Sequence, residues 1–313
     1  MSDIGRVSPN VNASEHQPVG SMLSSFGINV SGVPIEVPAR VLPKPGVIYS
    51  SKTAHVNNHA QWDFGDARFV VGAQLDYWVV FVIKDGYRNS RSEFTGVTDS
   101  ELREAVKAFR DMCNCKGMDI TADPTYTAVQ LPPPSVDGPM GKDARIAAIR
   151  TGLLRNKPKP QAVLVVLANG DQLVYEGVKY LCDVILDVTT LCVLPAKFRA
   201  ARLQYLSSLA LKLNMKLGGI NHRLDGECMS WLNAAPTMVV GMDIAHPEPG
   251  CVTGTRECTY LHSQLIVVRG SLSASIAAVV ASVEKHFVQY LVSLRIQTSR
   301  QEVNVLVLDH WHH

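Results

Sequence analysis

The chain of 313 residues is long enough for about two domains. Hydrophobic residues make up 46% and charged residues 19%, a balance that allows a buried core and excludes an intrinsically disordered chain. The formal net charge of +2 is too small to establish a polyanionic partner. A nucleic-acid-binding function would therefore have to rest on a local cluster of Lys and Arg.

The seven cysteines include no CxxC pair, so neither a zinc site nor a disulfide framework is predicted. Reduced thiols are typical of the cytosol and nucleus. Residues 1–18 are polar and lack the apolar stretch of a signal peptide, and no apolar run reaches the length of a membrane span. We expect a cytoplasmic protein, with the nucleus as a second location, and no membrane partner.

Strands and helices are predicted to alternate along the first two thirds of the chain. The proline-rich residues 37–45 predict an extended linker. Beyond it, apolar periodicity and β-branched content predict, in chain order, a strand at 77–83, a helix at 99–113 capped by Ser100, a helix at 143–154, a strand at 161–167, a helix at 173–181, a strand at 187–193 and a long helix at 197–216. This order favours a Rossmann-like α/β domain with a parallel sheet.

Three further strands are predicted after Gly218 and Gly219, at 237–243, 276–283 and 293–298. The first of these ends in Asp243.

Lysines recur at helical spacing beside an aromatic residue. Tyr175 and Lys179 are four residues apart on one predicted helix, and Lys212 and Lys216 are four apart on another, so each pair shares a helix face. The first helix follows the Asn169-Gly170 turn at the carboxyl end of a strand, where open α/β sheets bind ligands. A stacking ring with ammonium groups suits a nucleotide. Two solvated helix faces remain the simpler alternative.

Three segments, 173–179, 191–193 and 209–221, resemble the MID signature of the Argonaute family in order and spacing. Residues 37–45 resemble the linker that precedes MID in that family. The resemblance covers most of residues 20–250 and again 275–302, and it is strongest to fungal members.

The resemblance implies an α/β protein in which a Rossmann-like MID domain at 61–222 follows an extended linker at 1–60. The N-terminal part of an RNase H-like PIWI domain is implied at 223–313. Residues 251–272 then form an insertion that the family lacks; a retained intron and an ordered insertion both remain open.

The resemblance also assigns roles to single residues. It implies that Tyr175 stacks on the first guide base, and that the 5′-phosphate is held by Lys179, Cys192, Lys212 and Lys216. The loop that reads the first base would be Asn169, Gly170, Asp171 and Gln172. One departure is Leu191, where the family has a glutamine that donates to the phosphate. Its loss should weaken binding, and Lys197 lies nearby in sequence as a substitute donor.

Residues 241–247 resemble the PIWI motif whose aspartate, here Asp243, is the first metal-binding carboxylate; a simple turn cap is the competing interpretation. Glu302 matches the family's mobile glutamate. Two-metal hydrolysis needs several carboxylates around paired Mg²⁺ ions. Asp309 follows Glu302 too closely to be the family's second aspartate, and the histidines after it are interpreted as a tail. The site is therefore expected to be incomplete, without Mg²⁺.

We expect a protein that binds the 5′-phosphorylated end of a small guide RNA in RNA-mediated gene silencing, without cleavage. Its implied partners are the guide, a complementary target RNA and silencing-complex proteins. The alternative is a guide-directed RNA endonuclease that uses Mg²⁺ in a complete PIWI domain. An unrelated nucleotide-binding enzyme is disfavoured because no GxGxxG or GxxxxGK[ST] loop follows a strand.

Overall fold

The computed structural model describes residues 26–27, 37, 39, 43–85, 94–133, 139–245 and 275–297. The chain divides into two units, Met1–Pro43 and Lys44–His313, and every element described below lies in the second. No helix in these described ranges is both long and apolar enough to cross a membrane.

Strands and helices alternate through the first part of this unit. The strands are β1 (Val47–Ile48), β2 (Thr53–Ala54), β3 (Trp78–Lys84), β4 (Thr125–Gln130), β5 (Ala162–Val166), β6 (Thr189–Val193), β7 (Arg223–Leu224), β8 (Val240–Ala245), β9 (Ser275–Ser282) and β10 (Tyr290–Gln297). The helices are α1 (Ser100–Cys115), α2 (Pro139–Leu154), α3 (Gln172–Lys179), a π-helical turn (Tyr180–Leu186), α4 (Pro195–Arg199), α5 (Leu203–Lys216) and α6 (Gly226–Met229).

The predicted parallel sheet is confirmed, with strand order β4-β3-β5-β6 and every pair parallel. Its two central strands are buried along almost their whole length, which explains their continuous apolar sequences. Alternate side chains enter two separate cores. Helices α1 and α5 pack on one face of the sheet, and α2 and α3 pack on the other.

The order of the strands creates a switch point between β3 and β5. The chain passes from β3 outward to β4 and then returns to β5 on the other side of β3. The segments leaving the carboxyl ends of β3 and β5 therefore diverge, which opens a crevice typical of ligand sites in such sheets. Asp85 directly follows β3, and the turn at Asn169 and Gly170 follows β5.

The last three strands form an antiparallel sheet of order β10-β9-β8. The predicted strands are thus confirmed, with ends displaced by up to three residues. Large apolar side chains on the outer strands, among them Met242 and Leu291, are exposed in the part of the chain that the structure describes.

Two sequence predictions about helices are wrong in detail. The single helix at 197–216 is instead two helices, α4 and α5, because Ala201 adopts a φ of 42° that interrupts the helical backbone. Helix α1 is capped by Asp99 rather than by Ser100: the Asp99 carboxylate accepts a hydrogen bond from the Leu102 amide.

Much of the 209–221 motif fixes the end of α5. Asn214 is fully buried; its Oδ1 accepts from the Ala73 amide at 2.8 Å, and its Nδ2 donates to the Val71 carbonyl at 3.1 Å. Gly219 leaves room for this side chain, since a Cβ there would lie 2.3 Å from Asn214 Oδ1. The end of α5, which carries Lys216, is therefore held against the segment before β3.

Candidate nucleic-acid interface

The turn after β5 is ordered by its own polar side chains. Asn169 Oδ1 accepts a hydrogen bond from the Asp171 amide at 2.9 Å. The Asp171 carboxylate caps α3, accepting from the Leu173 amide at 3.0 Å and the Val174 amide at 3.4 Å. The Asn169 carboxamide and the Asp171 carboxylate thus hold the turn and fix the start of α3.

The other two residues of the predicted base-reading loop lie on its outer side. Gly170 faces open space, since a Cβ added there would meet no atom within 4 Å. Gln172 is exposed and donates through Nε2 to Glu176 Oε1 at 2.7 Å. All four predicted loop residues are therefore contiguous at the carboxyl end of β5.

A buried ionic network, absent from the sequence predictions, anchors this loop. Arg145 of α2 has a side chain only 4% exposed, and its guanidinium pairs with Asp85, which is 1% exposed. A second guanidinium nitrogen lies 3.4 Å from Asp171 Oδ2. Arg145 therefore joins α2 to both sides of the switch point. Nothing in the sequence distinguishes Arg145 from an arginine on a solvated helix face, so this network could not be predicted.

Two lysines converge on one residue of β6, an edge strand of the sheet. Lys179, at the end of α3, donates from Nζ to Thr190 Oγ1 at 2.6 Å. Lys216, at the end of α5, donates from Nζ to the Thr190 carbonyl at 3.0 Å. Because α3 and α5 lie on opposite faces of the sheet, the two side chains reach the edge of β6 from opposite sides.

Asp183 completes this basic pocket, which we define as Lys179, Asp183, Thr190, Cys192 and Lys216. It lies in the π-helical turn that extends α3, and its Oδ2 is 3.6 Å from Lys179 Nζ. Its Oδ1 accepts from the Thr190 hydroxyl at 3.2 Å. One carboxylate thus faces two ammonium groups, which leaves the pocket with a net positive charge.

The pKa values of the two lysines are shifted in opposite directions. Burial, together with the positive charge of Lys179, lowers the pKa of Lys216 below its usual value. Burial also disfavours the charge on Lys179, but attraction to Cys192, which is an anion only at high pH, and to the Asp183 carboxylate outweighs this effect and raises the pKa of Lys179. Burial raises the pKa of the Cys192 thiol to about 11, so at neutral pH this residue contributes an uncharged thiol.

The remaining predicted pocket residues occupy different positions. Tyr175 lies one turn before Lys179 on α3, with 38% of its surface exposed, so its ring is accessible to a ligand. Lys212 is exposed one turn before Lys216 and makes no hydrogen bond or ion pair with any residue that the structure describes. Leu191 is buried in the core beneath α5, because neighbours in a strand point to opposite faces.

Of the two residues predicted for the catalytic metal site, Asp243 and Glu302, the structure describes only Asp243. Asp243 lies in β8, is exposed, and accepts at Oδ1 a hydrogen bond from the adjacent Ile244 amide at 2.9 Å. Glu302, Asp309 and the 251–272 insertion lie outside the described residues. Within those that are described, no group of three His, Cys, Asp or Glu side chains is placed to hold a metal ion.

Comparison with known proteins agrees with this architecture. Residues 162–310 match the family model of the Piwi domain. The C-terminal lobe of a budding yeast Argonaute superimposes with a TM-score of 0.60 at 24% identity, covering 84% of this chain and 50% of that one. Kluyveromyces polysporus Argonaute, solved with a guide RNA, gives 0.60 at 23% identity over 84% of this chain and 30% of that one. The MID–PIWI domains of Neurospora crassa QDE-2 give 0.52 at 24% identity, covering 74% and 54%.

The predicted resemblance to the Argonaute family is confirmed. The Argonaute-like chain spans about half the length of the solved lobes and less than a third of the Kluyveromyces protein. The Piwi-model match begins at the first residue of β5, so it includes the predicted base-reading loop, α3, the basic pocket and β8 to β10.

Proposed function

We propose that this Argonaute-like chain binds the 5′-phosphorylated end of a small guide RNA in RNA-mediated gene silencing. One observation carries the proposal: two ammonium groups from separate helices meet at Thr190 beside an accessible tyrosine ring.

The number of donors favours a phosphate. A lysine ammonium has three N–H donors and no acceptor. Lys216 commits one donor to the Thr190 carbonyl, and Lys179 commits one to the Thr190 hydroxyl while lying 3.6 Å from Asp183. The remaining donors, and the positive charge that one carboxylate leaves uncompensated, suit the several acceptor oxygens of a phosphate monoester.

The neighbouring tyrosine favours a nucleotide over a simple phosphate. Tyr175 lies one helical turn from Lys179, which matches the short separation between a nucleotide's base and its 5′-phosphate. Stacking of a base on an aromatic ring contributes about 1–3 kcal/mol. The loop of Asn169, Gly170, Asp171 and Gln172 precedes the same helix and is the proposed reader of the first base.

The fold supports an RNA ligand by analogy. The Kluyveromyces Argonaute was solved with a guide RNA, and its fold covers most of this chain. The same proposal includes a complementary target RNA and silencing-complex proteins as partners, and a cytoplasmic or nuclear location. Cleavage with Mg²⁺ is not proposed, since Asp243 is the one predicted ligand that the described residues include and two-metal hydrolysis needs several carboxylates.

We expect a 5′-phosphorylated RNA to bind more tightly than the same RNA with a 5′-hydroxyl. A charge-assisted hydrogen bond contributes about 1.5–3 kcal/mol, so two lysines should give a preference of at least about tenfold. Fluorescence anisotropy with a 3′-labelled oligonucleotide in both forms, at one fixed salt concentration, measures it. Equal affinities would remove the phosphate pocket from the proposal.

A further inference from the structure

Thr190 is a buried polar residue that serves both lysines of the basic pocket. It is only 1% exposed, although it belongs to an edge strand. Its hydroxyl contacts Lys179 and its carbonyl contacts Lys216. A carbonyl on the open edge of a sheet has no strand partner, which leaves it available to a side chain. One residue thus determines where both ammonium groups lie.

The direction of the hydrogen bonds around the Thr190 hydroxyl follows from the chemistry of its neighbours. An ammonium group can only donate, so Oγ1 accepts from Lys179. The single hydroxyl proton is then directed to Asp183 Oδ1, which lies 3.2 Å away and can only accept as a carboxylate. The two hydrogen bonds therefore run in one direction: Lys179 donates to the Thr190 hydroxyl, and this hydroxyl donates to the Asp183 carboxylate.

The contacts with Thr190 oppose the repulsion between the Lys179 and Lys216 ammonium groups, which would otherwise move them apart. Lys179 and Lys216 lie close enough that the charge of Lys179 lowers the pKa of Lys216. Each lysine also has a long, flexible stem, and fixing it in one place costs rotamer entropy. Without a common acceptor, both factors favour ammonium groups that separate into solvent.

We propose that Thr190 is a positioning residue for the guide 5′-phosphate, holding both ammonium groups side by side before the RNA arrives. The inference rests on the proposed function. Thr190 is not itself a phosphate ligand, since its hydroxyl and carbonyl are occupied by the lysines. Its effect is preorganisation: both ammonium groups are already held at one residue, so binding does not have to bring them together.

The test compares variants that differ by the hydroxyl alone. Thr190→Val keeps the shape and the backbone carbonyl but removes Oγ1, and Thr190→Ser keeps the hydroxyl. Thr190→Ala and Thr190→Ser form a second pair that isolates the same group without the methyl, in case the valine variant does not fold. For each variant, anisotropy gives the affinity for 5′-phosphorylated and for 5′-hydroxyl RNA, and thermal melting checks the fold.

We expect the phosphate preference to fall by up to about tenfold in Thr190→Val and in Thr190→Ala, because binding must then order the Lys179 side chain that the hydroxyl no longer holds. Thr190→Ser should retain the wild-type preference, and the 5′-hydroxyl RNA should bind all four proteins alike. An unchanged preference in the variants lacking the hydroxyl, or an equal loss for both RNAs, would overturn the positioning role. If the wild-type chain showed no preference, the proposed function would fail first and the inference with it.

Discussion

Lys216→Glu is expected to abolish the preference for a 5′-phosphate and to weaken binding of phosphorylated RNA by at least about 100-fold. The change removes a charge-assisted donor, worth about 1.5–3 kcal/mol, and adds a repulsion between like charges. The repulsion would act at short range, because the Lys216 ammonium lies 3.0 Å from the Thr190 carbonyl, beside the Lys179 ammonium in the proposed phosphate pocket. Together the two effects exceed the roughly 2.7 kcal/mol that corresponds to 100-fold.

The matched control is Lys107→Glu, which makes the same change of charge at an exposed position on α1, outside the pocket. Anisotropy with phosphorylated and hydroxyl RNA at the same salt concentration measures both variants. Long-range attraction between the chain and RNA should fall equally in the two. An equal loss of affinity in both would mean that general charge, rather than the pocket, governs binding.

Arg145→Met is expected to lower the free energy of unfolding by about 3–5 kcal/mol, the range found when one partner of a buried ion pair is removed. Its guanidinium neutralises Asp85, which is 1% exposed, and lies 3.4 Å from Asp171 Oδ2. Methionine fills much of the same space, so the loss reflects charge rather than a cavity. The change should also loosen the proposed base-reading loop, because Asp171 caps α3.

Urea denaturation followed by tryptophan fluorescence measures this loss. Arg150→Met is the control, since it lies on the same helix with an exposed side chain and should change stability by less than about 0.5 kcal/mol. If both variants unfold at the same urea concentration, the buried network does not stabilise the fold.

The central strands could be predicted because their sequences are continuously apolar, as expected for strands that are buried on both faces. Apolar runs such as 77–83 and 161–167 fit strands covered on both faces, and they form β3 and β5. The edge strand β4 was not predicted, because its six residues lack the continuous apolar run of the central strands, although threonine, tyrosine and valine favour a strand. The break at Ala201 was also hidden, because alanine and arginine both favour helix and tertiary packing decides the interruption.

The pocket was only partly predictable. The resemblance placed Lys179 and Lys216 in one site, but spacing alone pairs Lys216 with Lys212, whereas the structure joins Lys216 to Lys179 of another helix through Thr190. Such a contact crosses the sheet edge, so no local periodicity encodes it. Thr190 and Asp183 belong to no motif, and their importance follows only from the hydrogen bonds they make.

The orientation of the RNA is the central claim, and site-specific crosslinking tests it most directly. A 5′-phosphorylated RNA carrying 5-iodouridine as its first nucleotide is bound, irradiated and digested, and the attached peptide is identified by mass spectrometry. A stacked base places its reactive carbon against an aromatic ring, so we predict attachment to Tyr175. The same RNA with 5-iodouridine at its 3′ end should leave Tyr175 unmodified. Equal labelling of Tyr175 by both RNAs, or attachment of the 5′ nucleotide outside Leu173 to Lys179, would contradict the assignment of this site to the guide 5′ end.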